Sequence, residues 1–137
     1  MGDTLESLEQ KREHLYGQLR GTGDFRRGII SVIYRKCGKK NCVCAQEGHP
    51  GHGPLHLWNT TIKGKSYAKN LRFGTELLKY SMETANYRRF VKLCKELVEL
   101  NEKVCDLRPL PVMEGKDKQE ATKKKLEQLL MKRLKKR

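Results

Sequence analysis

The stretch YRKCGKKNCVCAQEGHPGHGP, residues 34–54, constrains this chain more than any other. It sets Cys37, Cys42 and Cys44 at a C-x4-C-x-C spacing, with His49 and His52 close behind. Thiolates and imidazoles are the ligands that a tetrahedral zinc ion prefers. Gly38, Gly48, Gly51 and Gly53 let the backbone bend around such an ion, and Lys36, Lys39 and Lys40 favour thiolate over thiol. The ligand set read here is Cys37, Cys42, Cys44 and His52, with His49 as the substitute fourth ligand. The competing reading is an unliganded loop with free thiols, a liability that proteins generally avoid at their surface. The paired C-x2-C knuckle of common fingers is missing, and an iron-sulfur cluster normally takes four cysteines. Four protein ligands make a structural Zn2+ site. Glu47 is the one carboxylate nearby, so a hydrolytic zinc has little support.

Composition agrees with a staple. Only 36% of the 137 residues are hydrophobic, so the core must be small. No apolar run approaches the ~20 residues of a membrane helix, and the polar, acidic start is unlike a signal peptide. The expectation is a cytoplasmic chain with reduced thiols, away from membranes. Five cysteines at uneven spacing also argue against a disulfide framework. Cys94 and Cys105 read as structural, and His14 and His56 have no evident partner.

The hydrophobic period then orders the elements. Residues 4–20 read as a helix with Thr4 as N-cap, and Leu5, Leu8, Arg12, Leu15 and Leu19 on one face. Residues 28–35, 55–61 and 65–71 read as strands, the last two joined through Ile62-Lys63-Gly64 as a hairpin. A 19-residue loop, 36–54, separates the first two and carries the Cys/His cluster. Residues 75–107 read as one long helix with Thr75 as N-cap, ended by Pro109. Its seam is Phe90, Leu93, Leu97, Leu100, Val104 and Leu107, a spacing that suits another helix within the chain or across a homodimer. Arg12 can there pair with Glu96 or Glu99, or force a register. The fold class is therefore α+β: an N-terminal helix, a three-stranded antiparallel sheet carrying a zinc loop, a long helix, and a basic C-terminal helix. The expected division is a domain over 1–107, a linker over 108–117 and a helical tail over 118–137.

Charge points to the partner. The chain carries a formal net charge of +14, and residues 25–72 hold ten Lys and Arg against Glu47 alone. Such a block suits a polyanion, because each neutralised phosphate releases counterions. Candidate contacts are Arg26, Arg27, Arg35, Lys36, Lys39, Lys40, Lys63, Lys65, Lys69 and Arg72. Tyr67 lies between Lys65 and Lys69 on one strand face, and Trp58 either stacks on an unpaired base or packs on the helices. Nothing matches a Gly-rich phosphate loop, a nucleophile triad or a carboxylate pair, so an enzyme is not expected.

The strings CGKKNCVCA, GHGPLHLWNTTIKGKSYAKNL and ANYRRFVKLCKELVELN, in that order, resemble a bacterial domain family of unknown function. The resemblance spans roughly residues 5–105 and implies the Cys37, Cys42, Cys44 and His52 grouping. It also implies, loosely, small proteins of mobile elements or transposase-linked loci. Leu55, His56 and Leu57 stand where family members tend to carry aromatics. The combined expectation is a non-enzymatic, zinc-containing nucleic-acid-binding protein, acting as a homodimer on DNA rather than RNA in a mobile-element or defence machine. The alternative is an accessory subunit that stabilises a nuclease, transposase or ribonucleoprotein, such as a CRISPR effector, through its helices.

Overall fold

The computed structural model describes residues 2–113 and 115–136. The fold is α+β, and the chain divides into two compact units, Met1–Cys105 and Asp106–Arg137. In the first unit, helix α1 (Leu5–Arg20) is followed by strands β1 (Ile29–Arg35), β2 (His52–Ile62) and β3 (Lys65–Leu71). Helix α2 (Thr75–Leu107) follows the sheet, and helix α3 (Lys116–Lys135) belongs to the second unit. The strands form one antiparallel sheet in the order β1-β2-β3. Among the described residues no helix is long and apolar enough to cross a membrane.

Helix α1 opens on a capping box. Thr4 Oγ1 accepts from the Ser7 amide and Ser7 Oγ accepts from the Thr4 amide, both at 3.1 Å, which satisfies two donors that a helix start leaves open. The leucine face then packs antiparallel on α2. Leu8 and Val104 are each 1% exposed, Leu93 is buried, and Leu5, Leu15, Leu19, Phe90, Leu97 and Leu100 are half-buried. The seam thus closes within the chain except at its last position, Leu107, which is exposed. Arg12 meets neither Glu96 nor Glu99 there: its guanidinium donates to Asn101 Oδ1 at 3.2 Å, a neutral partner one turn further along. Leu8→Ala should cost about 3 kcal/mol, because so small a core leaves little to collapse into the cavity. Urea unfolding reads that loss directly, and a midpoint within error of the parent would contradict this packing.

The joint between helices and sheet centres on Glu83. Phe25 stacks on Phe90 with centroids 4.6 Å apart, and the Arg26 amide donates to the Glu83 carbonyl at 3.2 Å. Arg26 Nε lies 3.0 Å from Glu83 Oε1, a charge contact rather than a well-aligned hydrogen bond. Lys79 and Arg26 together hold the buried Glu83 carboxyl below its ordinary range. Trp58 sits inside this arrangement. Its Nε1 donates to the Arg27 carbonyl at 3.0 Å, and its ring meets the edge of Tyr80 at 5.6 Å. Of the two roles open to Trp58, the structure assigns the packing one.

Several boundaries differ from the sequence reading, three of them away from the metal loop. The β2–β3 connection is two residues, Lys63 (φ 52°) and Gly64 (φ 77°), the pair of left-handed residues that matches strand twist in a tight hairpin. Helix α2 begins at Thr75 rather than being capped by it, and Glu76 turns back to accept the Arg72 amide at 3.1 Å. Helix α3 begins two residues early, at Lys116, after Gly115.

Candidate metal centre and the basic surface beside it

Strand β2 starts earlier than its apolar alternation suggests, and this positions the site. It begins at His52, which pairs with Arg35 of β1. The loop therefore spans residues 36–51, and His52 is a strand residue held by the sheet. Gly51 makes that approach possible. At φ 107° its Cα lies so near Arg35 that a Cβ would meet the Arg35 backbone at 2.6–2.9 Å. Gly51→Ala should therefore displace His52 and cost several kcal/mol, since both the backbone conformation and the space are denied. Loss of bound metal together with a lower melting temperature is the expected result. An alanine variant with unchanged metal content would refute the role given to this glycine.

The loop has almost no apolar core. Cys44 is its one buried side chain, carried on a single 3-10 turn, Val43–Ala45. Around it, Cys37, Cys42, Cys44 and His52 bring their ligand atoms within 4.8 Å of one another. Cys37 Sγ is 3.5 Å from Cys44 Sγ, and Cys42 Sγ is 3.2 Å from His52 Nε2. A tetrahedral ion with usual Zn–S and Zn–N lengths needs ligand separations of roughly 3.6–3.8 Å, so shifts of at most about 1 Å would seat the four atoms around one. The Cys37 amide also donates to Cys44 Sγ at 3.4 Å, a contact that steadies thiolate charge. These four residues can hold a metal ion.

Two thiols differ in their electrostatics. The Lys39 amide, with help from His52 and Cys44, lowers Cys37 to about 6. Cys44 is pushed up: the Cys37 amide favours its thiolate, but burial and the neighbouring sulfurs outweigh that. His49 lies outside the cluster. Its Nδ1 accepts the Gly51 amide at 2.9 Å, so the ring braces the turn that leads into His52.

The ten candidate cations do not form one surface. Arg26 is engaged with Glu83 and stacks over Tyr80 at 3.8 Å, and Lys69 Nζ lies 3.8 Å from Glu76 and 3.4 Å from Tyr80 Oη. The remaining eight are exposed. The antiparallel register places Arg35, Lys36, Lys39, Lys40 and Arg72 at the metal end of the sheet, where Arg35 faces His52 and Leu71 faces His56. Lys63 and Lys65 sit at the hairpin end, with Arg27 before β1 on that side. The eleven residues of β2 separate the two ends by roughly 33 Å. Strand registry, which composition does not contain, makes this division.

A family model described as "Domain of unknown function (DUF6788)" matches residues 5–72, a little under half of the chain. The match covers α1, the metal loop and all three strands, and stops before α2, so the YRRF stretch lies outside it. No curated protein and no solved structure matches this chain.

Proposed function

We propose that this chain is a non-enzymatic, zinc-stapled protein that binds nucleic acid, DNA rather than RNA, through the metal end of its sheet. One observation supports this most: five exposed cations crowd the end where the Cys/His cluster ties the loop to β2. A fixed loop keeps its lysines in register with a regular phosphate backbone at low entropic cost. Three thiolates and one imidazole favour zinc over harder divalent ions. The setting proposed with it is a mobile-element or defence nucleoprotein machine in the cytoplasm.

The test is equilibrium binding of labelled duplex and single-stranded oligonucleotides by metal-loaded protein across a KCl series. Three to five phosphate contacts predict a duplex slope of roughly −3 to −4 in log K against log salt. A flat slope, or no binding at 50 mM salt, ends the proposal.

Helix α3 supports a second role. Leu126, Leu129, Leu130 and Leu134 are all exposed on it, amid lysines. That stripe suits docking to a partner helix, either a second copy or a nuclease or transposase subunit. Sedimentation of the full chain with and without Leu130→Glu distinguishes a homodimer from a monomer awaiting a partner.

A further inference from the structure

At the corner where β3 turns into α2, Phe73 is 88% exposed and yet held on a rigid frame. The Arg72 amide is bound by Glu76 at 3.1 Å, the Leu77 amide donates to the Arg72 carbonyl at 3.2 Å, and the Leu78 amide donates to the Gly74 carbonyl at 3.0 Å. The ring is thus presented to solvent from a fixed turn rather than from a loose loop. Below it lies a groove of about 500 Å3, lined by Pro54, Leu55, His56, Asn70, Leu71 and Phe73.

We infer that this groove is a base-stacking subsite for single-stranded nucleic acid, with Phe73 as its platform and His56 as the facing ring. This deepens the nucleic-acid reading above and rests on it. The two rings stand 6.3 Å apart at 45°. A base held between two planes needs twice the ~3.4 Å spacing of stacked bases, roughly 7 Å, so a small turn of the exposed ring admits it. Buried Leu71, paired with His56 of β2, forms an apolar floor. Arg72 stands beside the platform as an exposed phosphate contact. His52 lies four residues along β2 from His56, about 13 Å, so the metal-loop lysines belong to the same end. A flat ligand with an anionic backbone matches these features. Base-paired nucleic acid hides its faces and does not.

The experiment uses the full, metal-loaded chain, a 12-nucleotide oligo-dT carrying a central 2-aminopurine, and a blunt duplex of equal length. Phe73→Ala should weaken single-strand binding roughly tenfold or more and abolish 2-aminopurine quenching, while Phe73→Tyr retains both. Duplex binding, the salt slope and metal content should not change. If Phe73→Ala binds the single strand like the parent while reversal of Lys39 and Lys40 weakens it, the subsite is wrong and the polyanion reading stands. If the parent binds no oligonucleotide, both fall. A change of sedimentation in Phe73→Ala would mean that the corner meets a second copy, which also overturns the subsite.

Discussion

Replacing Cys42 by serine should leave the protein without stoichiometric metal and lower its melting temperature by more than about 10 °C. The metal loop spans 16 residues, 36–51, and holds one buried side chain, so a bound ion would be its main source of order. Structural zinc contributes ~10–16 kcal/mol of apparent binding energy in small domains, and even about 3 kcal/mol shifts the melting temperature of a 100-residue unit by roughly 10–20 °C. Cys94→Ser and Cys105→Ser, on α2, should keep full metal content and serve as controls. Acid should release the metal as well, because protons compete for the thiolates. Cys37 lies at about 6, below its ordinary 9.0, so the fold favours its anion. The corresponding stability is fully present above 9, declines as the pH falls, and is lost through 6. Metal analysis of Cys42→Ser beside the parent, and of the parent dialysed from pH 8 to pH 5, checks both. Metal retained by the serine variant, or an intact fold in parent protein that never contained metal, would sink the centre.

Charge reversal at the two ends of the sheet should have unequal effects on oligonucleotide binding. The pair Lys39→Glu and Lys40→Glu should weaken it roughly 30-fold at 150 mM salt and flatten the salt slope by about two. The pair Lys63→Glu and Lys65→Glu, some 33 Å away along β2, should cost less than about fivefold. Net charge changes identically in the two variants, so a difference between them reports location rather than solubility or bulk attraction. Equal losses would mean a footprint along the whole sheet instead of one end. Unchanged slopes in both would remove the polyanion altogether.

Local chemistry is where the sequence was most readable. The helix capped by Thr4, the strands, the long helix ended before Pro109 and the four metal-ligating candidates all follow from short-range pattern: period, capping and ligand type. Within-chain pairing of the two leucine seams was one of two open readings, and burial of Leu8 and Val104 selected it. Other features depended on which strangers in sequence become neighbours in space. Arg12 found Asn101, 89 residues away, and Arg26 found Glu83, which took it off the list of free cations. Trp58 went to Tyr80 and the Arg27 carbonyl.

What the sequence determined by itself was chemical identity and local geometry: a Cys3His set on a glycine-rich loop, two matched leucine faces, and a basic middle with a single acid. Hydrophobic period and ligand type act over a few residues, so a linear string displays them. Only the tertiary structure decided that His52 sits on a strand against Arg35, that His49 braces a turn, and that the cations part into two ends. The physical reason is strand register. Pairing β1 with β2 across the metal loop is a long-range event, settled by the burial of side chains far apart in the chain and by glycines at both ends, Gly51 and Gly53 at the metal end and Gly28 at the other, that let the two backbones close.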